Sequence, residues 1–217
     1  MIERVLAVGD VHGCYSLLKK LIEDEIRFDP EKDRLVFIGD YMDRGPNSIE
    51  VVEYVFDELM GKYPDSIIAL RGNHEQMFLG LPETHDLWLK NGGHATISNA
   101  VRCRGAIEPY YSSLKRIFSE KTRFFYEEEG IIFVHAGLND GGLAATSQFE
   151  MVNLRNFKTY RGPQLIVGHT PHSSAMKYPN AIVIDSGAFL TGKLSAYDVK
   201  NAVLYTTNGI EPLKSSI

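Results

Sequence analysis

No stretch of this chain is apolar for long enough to span a bilayer, and no leader pattern precedes the strand-like segment that begins just after Met1. There is also no block of Lys or Arg, and the formal net charge is −5. Nucleic-acid binding rests on clustered cations set against phosphates, so nucleic acid is disfavoured as a partner. Cysteine is scarce. Cys14 and Cys103 lie far apart in sequence, which fits a reduced cytoplasmic setting better than a disulfide scaffold. Low-complexity segments are missing, and from the short tail after Asn208 no C-terminal regulatory domain is expected. What is left is an ordinary globular composition, 44% hydrophobic and 24% charged. Its 217 residues suffice for one domain, 1–217, with a full core. The expectation is a soluble cytoplasmic protein with no membrane or nucleic-acid partner. The sequence leaves the oligomeric state open.

What the chain does have is one device used five times. Arg4–Val8 runs into Gly9-Asp10-Val11-His12-Gly13, and Arg34–Ile38 runs into Gly39-Asp40-Tyr41-Met42-Asp43-Arg44-Gly45. Ser66–Leu70 leads to Arg71-Gly72-Asn73-His74-Glu75, Ile131–Val134 to His135-Ala136-Gly137, and Leu165–Val167 to Gly168-His169. Each apolar run reads as a buried strand, and each ends by presenting Asp, Asn or His. A core strand gains nothing from such an ending, whereas a site for a cation and a phosphate does.

The rest of the pattern is α/β. Leu17, Leu18, Leu21 and Ile22 recur at helical spacing and predict an amphipathic helix over about 14–27. Val51, Val52, Val55, Phe56 and Leu59 predict a second, begun at Pro46-Asn47-Ser48 and stopped by Gly61 and Pro64. With strands at 4–10, 34–40 and 66–71 this is β-α-β-α-β, so the sheet is expected to be parallel or mixed. Residues 75–122 read as a helical insertion beside the sheet, with helices near 94–104 and 109–120. Residues 123–126 and 131–136 predict an antiparallel pair turning through Glu127-Glu128-Glu129-Gly130, a short acidic turn expected to be merely solvated. Residues 137–161 are expected to be irregular and to line the site. Strands at 164–168 and 181–185 and a hairpin of 193–198 with 202–207 complete the reading.

Asp, Asn and His suit Mn, Fe or Zn better than Ca, and no cysteine lies where a thiolate site would need one. Asp10 and His12 are two residues apart and point the same way in an extended chain, so they can grip one ion together. A lone His at a strand end is usually an ordinary hydrogen-bonded residue, but five such endings in one chain reverse that expectation. They predict two cations about 3.5–4 Å apart, a spacing that clamps both attacking and leaving oxygens. Asp40, on the expected central strand, is the best bridge between them.

Taken together, in this order and rough spacing, the five motifs resemble the phosphoprotein phosphatase branch of the calcineurin-like metallophosphoesterases, in particular its compact bacterial and phage members. The resemblance runs from about residue 4 to residue 198. It implies a β-sandwich of mixed sheets flanked by helices. It implies that Asp10 and His12 hold one metal, that Asn73, His135 and His169 complete the second, and that Asp40 bridges. The ions would be two divalent metals, Mn²⁺ first, with Fe or Zn fitting the same ligands. A water or hydroxide between them would attack phosphorus directly. His74 would protonate the leaving oxygen, Asp43 would orient His74, and Arg44 would grip phosphate oxygens. A further phosphate-binding arginine belongs between the two late histidines, where Arg155 is the candidate and Arg161 the competitor. Asp185 matches a position that supports the site without ligating.

The first functional expectation is therefore a phosphomonoesterase acting on phosphoserine and phosphothreonine proteins or small phosphate esters. A symmetrical diadenosine tetraphosphate hydrolase is the alternative. Those hydrolases typically lack an acid at the position of Asp43, so the GDYMDRG stretch favours the phosphatase. An inactive phosphate-binding module is the third reading. It predicts a lost ligand, and all six ligand candidates and His74 are present. Cys14 is not expected to be a nucleophile. His94 and His172 have no assigned role, Arg71 is expected to brace its loop by ion pairing, and Asn91-Gly92-Gly93 is expected to shape the substrate entrance.

Overall fold

Alternation of apolar side chains in the first strands assigns each face to a different core, and this sets the layers of the molecule. The computed structural model describes residues 1–215. Strands β1 (Arg4–Val8), β2 (Asp33–Phe37) and β3 (Ile67–Ala69) pair in parallel. β9 (Ser195–Asp198), β10 (Val203–Thr206) and β11 (Gly209–Glu211) extend this sheet antiparallel, in the order β11-β10-β9-β1-β2-β3. The second sheet has β4 (Phe125–Glu128), β5 (Ile131–Val134), β6 (Leu165–Val167), β7 (Met176–Tyr178), β8 (Ala181–Val183) and β12 (Lys214–Ser215). Its order is β12-β7-β8-β6-β5-β4, with β5, β6 and β8 parallel.

The two sheets share a core. Val5, Ala7, Val36 and Ile38 from one meet Phe133, Ile166, Ile182 and Ile184 from the other. The alternate residues Leu6, Val8, Leu35 and Phe37 face the helices instead. β1 and β2 are thus buried on both faces, which is why they read as unbroken apolar runs. Helices Tyr15–Lys19 with Lys20–Ile26, and Ser48–Val52 with Glu53–Leu59 and Met60–Lys62, cover the first sheet where the periodicity predicts them. The insertion contributes Asn73–Leu79, His85–Trp88, His94–Arg104 and Glu108–Glu120. Its Phe78, Trp88, Leu114 and Phe118 join the same cluster as Phe37, so it packs beside the sheet as expected. No helix among the described residues is long and apolar enough to cross a membrane.

Three expectations need correction. Only Glu129 and Gly130 form the acidic turn, both left-handed at φ 53° and 78°, while Glu127 and Glu128 stay in β4 opposite Ile132 and Ile131. That run is also not merely solvated, because Glu128 pairs with Arg34 at 2.6 Å and Glu129 with Lys200 at 2.8 Å across the two sheets. Second, β2 is the middle of the three parallel strands but lies one place from the sheet edge rather than at its centre. Third, β7, β11 and β12 have two or three residues each and carry no periodicity that could be seen in advance.

Candidate functional site

Parallel strands deliver their carboxyl ends to one side of a sheet, and ligand sites form there. β1 delivers Asp10 and His12, β2 delivers Asp40, Asp43 and Arg44, and β3 delivers Asn73 and His74. From the second sheet β5 delivers His135, β6 His169 and β8 Asp185. The backbone is bent to do this. Among the described residues, five of the eight non-glycine residues at positive φ are His12, Asp40, Asp43, Arg44 and His169. Strain of this kind persists where the surroundings over-determine it, and it concentrates at functional sites.

Ligand atoms of His12, Asp40 and His74 lie within 4.8 Å of one another, and so do those of Asp40, His135 and His169. Asp40 is common to both groups, the place of a bridge. Its Oδ2 is 3.4 Å from His12 Nε2 and 3.5 Å from His135 Nε2. His12 Nδ1 donates to the Met42 carbonyl at 2.9 Å and His135 Nδ1 to that of Ile38 at 3.0 Å. A carbonyl only accepts, so each Nε2 is left with a lone pair facing the site. Asn73 Oδ1 lies 3.1 Å from His135 Nε2 and 2.9 Å from His169 Nδ1. Burial lowers the pKa of His12 and His135 and brings His169 down to about 3, which keeps the rings neutral as metal ligation requires.

Neither group includes Asp10. Its Oδ2 accepts the His169 N–H at 2.9 Å, while Oδ1 is buried without a hydrogen-bond partner. A Cβ on Gly168 would fall 2.0 Å from that oxygen, so only glycine leaves room for it. Burial, then Asp185 and Asp40, push Asp10 well above the usual carboxylate range. Burial likewise raises Asp185 to about 6. Asp40 goes the other way: burial raises it, but the surrounding imidazoles of His135, His74, His12 and His169 favour the carboxylate by more and hold it down. Three crowded buried acids, one with an orphaned oxygen, ringed by neutral imidazoles, form a donor set that fits divalent cations.

The other half of the site holds no orphan. His74 and Asp43 are fully buried, with Nδ1 and Oδ2 2.7 Å apart. Burial opposes a charged His74, but Asp40 and Asp43 outweigh it and raise its pKa. Arg44 reaches His74 Nε2 at 3.1 Å and lies over the Phe189 ring, 4.8 Å from its centroid. The Asn91-Gly92 backbone holds Arg44 from behind, through Asn91 O to Nε at 3.5 Å and Gly92 O to the backbone N–H at 3.3 Å. The Asn91-Gly92 backbone thus fixes the arginine.

A cleft of about 490 Å³ opens beside Asn73 and His169, lined further by Met77, Leu87, Phe149 and Arg155. Arg155 is exposed there and donates to Thr170 Oγ1 at 3.0 Å, whereas the Arg161 guanidinium is turned to the Tyr160 carbonyl. Asp185 accepts the Gly187 N–H and is in neither ligand group. Arg71 does brace its loop, but by donating to Thr122 and the Phe118 carbonyl, with no ion pair among the described residues. Cys14 is buried and its thiol pushed up to about 11, the opposite of an activated nucleophile. His94 is exposed on its helix.

Sequence reasoning passed over four contributors. Glu75 accepts the N–H groups of Asp40, Tyr41 and Gly72, each at 2.9 Å, and so joins the ends of β2 and β3. Trp88 and Thr96 contact Asp43 from the insertion, and Phe189 underlies Arg44. An acid inside a metal-site motif was a usable signal for Glu75. The other three are brought in by tertiary folding alone.

Comparison with known proteins agrees with this geometry. The calcineurin-like phosphoesterase family matches residues 3–193. The serine/threonine-protein phosphatase 1 of Salmonella typhimurium is 31% identical over 215 residues, covering 88% of this chain and 89% of the relative. A symmetrical bis(5'-nucleosyl)-tetraphosphatase of Pseudomonas syringae is 32% identical over 134 residues, covering 62% of this chain and 40% of the relative. A crystal structure described as that of a candidate diadenosine tetraphosphatase superposes with a TM-score of 0.72 at 22% identity, covering 95% of this chain and 93% of its own, and so shares the fold. The chain belongs to the calcineurin-like phosphoesterase family and is a metal-dependent hydrolase.

Proposed function

We propose that the protein hydrolyses phosphomonoesters, with phosphoserine and phosphothreonine proteins as its main substrates and two divalent cations, Mn²⁺ by preference, as its cofactors. The observation that carries this reading is that two groups of buried ligand atoms share Asp40, beside a buried His74–Asp43 pair at 2.7 Å. In this reading Asp10, His12 and Asp40 would hold one ion and Asp40, Asn73, His135 and His169 the other. The ions, when bound, would supply charge to offset that of the phosphate and would lower the pKa of water. Arg44 and Arg155 orient the phosphoryl oxygens. A planar guanidinium does this by two parallel hydrogen bonds, and stacking on Phe189 presents the plane of Arg44.

His74 supplies the proton to the leaving oxygen through Nε2, while Asp43 holds Nδ1–H. A guanidinium only donates, so without substrate His74 Nε2 is the acceptor for Arg44. A phosphate that draws Arg44 forward frees Nε2 to carry its proton. The direct relation between leaving group, His74 and Asp43 has no need of a covalent phospho-enzyme. The chain acts as one domain, 1–217, in a reduced compartment such as the cytoplasm, with both cysteines free.

Two features support a phosphoester over a dinucleotide. Asp43 is present in the proton-donor half. The cleft beyond the ligands offers Arg155 as its cation and is otherwise lined by Met77, Leu87, Phe149 and uncharged polar groups, which gives little to hold a polyphosphate chain. The test is side-by-side turnover of phosphoserine, phosphothreonine and phosphotyrosine peptides and diadenosine tetraphosphate. The reading predicts the fastest turnover on the first two. A large preference for the dinucleotide overturns it in favour of the symmetrical hydrolase.

A further inference from the structure

Asp43 is gripped by the insertion as well as by its own motif. Its carboxylate has two oxygens, and both are engaged without water. Trp88 Nε1–H straddles them, 2.9 Å from Oδ2 and 3.1 Å from Oδ1. Thr96 Oγ1 donates to Oδ1 at 2.6 Å, and the Asp43 backbone N–H donates to Thr96 Oγ1 at 3.1 Å and Ser48 Oγ at 3.0 Å. Oδ2 is left facing His74 Nδ1 at 2.7 Å. Asp43, Trp88, Thr96 and His74 are all wholly buried, so no solvent replaces a lost donor.

A carboxylate turns freely about its last bond unless both oxygens are fixed. Trp88 and Thr96 fix that rotation from elements 45 and 53 residues away in sequence. Trp88 is itself immobilised. Phe78 meets it edge-to-face with ring centroids 5.3 Å apart. Gly93 lies against its ring so closely that a Cβ there would be 2.6 Å from Cδ2. The same turn of backbone, at Asn91 and Gly92, holds Arg44. One short segment, from Trp88 to Thr96, thus sets both the proton donor and the phosphate-binding arginine.

We infer that Trp88 and Thr96 are positioning residues for the leaving-group step: they aim the Asp43 carboxylate so that His74 presents Nε2 to the departing oxygen. This rests on the proton-donor reading of His74 given above. The consequence is selective. A leaving group that departs easily as its anion needs no proton, whereas an alkoxide or phenoxide does. Loss of Trp88 or Thr96 is therefore expected to be felt on poor leaving groups and not on good ones, with ligand binding untouched.

The experiment measures kcat for the full chain across aryl phosphates from 2,4-dinitrophenyl to phenyl phosphate, with bound Mn²⁺ and the thermal midpoint of each variant. Trp88→Phe keeps the ring packing and removes the donor. It is expected to lower kcat on phenyl phosphate by about tenfold, the scale of one hydrogen bond to a charged acceptor, and on the dinitrophenyl ester by less than about twofold. Thr96→Val is expected to follow the same slope, and Thr96→Ser, which keeps the hydroxyl, to restore it. Bound metal stays at the wild-type level in all three. Equal loss on every ester, or no loss, overturns the inference and makes both residues ordinary packing. If Trp88→Phe is too unstable to assay, the Thr96 pair decides alone. His74→Asn, run in the same series, separates the two levels. A steep slope for His74→Asn with flat profiles for the other variants sinks the positioning role only. A flat slope for His74→Asn removes the proton-donor assignment and this inference with it.

Discussion

The proposed cation-binding half of the site and the proposed proton-donor half are built in opposite ways. Asp10, His12, Asp40, Asn73, His135 and His169 emerge directly from strand ends, and their partners are largely backbone groups of neighbouring strand ends, such as the Met42 and Ile38 carbonyls. Their arrangement leaves a surplus of buried acceptors and an orphaned oxygen on Asp10. The proton-donor half is fully satisfied, and its supports come from the helical insertion, through Trp88, Thr96 and the Asn91-Gly92 backbone. A surplus of lone pairs is completed by a ligand, whereas a closed network fixes one side chain's direction. The first half belongs to the sheets, and the second depends on what packs against them.

This contrast can be broken by mutation. Asp40→Asn removes the carboxylate common to both ligand groups. It is expected to lower turnover by on the order of 10³-fold and to reduce bound Mn²⁺, which elemental analysis and steady-state kinetics read together. Full metal content with full activity would remove Asp40 from the bridge. Arg44→Ala is expected to lower kcat/KM by about 10²-fold through two lost charge-assisted hydrogen bonds, with metal content preserved. Metal loss there would mean that the halves are not separable. Arg155→Ala, at the exposed cleft, is expected to cost about tenfold in kcat/KM. Arg161→Ala, turned away from the cleft, is expected to stay within about twofold. The reverse order would return the phosphate-binding role to Arg161.

What could be read in the sequence follows the same division. The strand-end placement of the six ligand candidates was legible because a strand end is local. An apolar run, a glycine and a polar residue occur within five or six positions, and six such residues find one another once the strands are parallel. The sheet pairing of β1, β2 and β3 was legible for the same reason. The contacts of Trp88 and Thr96 with Asp43 span 45 and 53 residues and depend on the angle at which the insertion docks, which no periodicity encodes. Phe189 came under Arg44 through a short helix, Ala188–Thr191, that follows a left-handed Gly187 and leaves little trace in propensity. Glu127 and Glu128 were misread as turn because acids disfavour strands, and the pairing of Glu128 with Arg34 overrides that preference. Within the insertion, Asn91-Gly92-Gly93 could be singled out as a motif, but its target, Arg44, could not.

The most direct test of the two-part site is the metal content of His74→Asn measured beside its turnover. His74 lies close enough to His12 and Asp40 to be a metal ligand, and we propose from its 2.7 Å contact with Asp43 that it belongs instead to the proton-donor half. If the division holds, His74→Asn retains the wild-type complement of Mn²⁺ while kcat on phenyl phosphate falls by about 10²–10⁴-fold. If bound metal falls in step with activity, His74 is a ligand and the site has no separate proton-donor half.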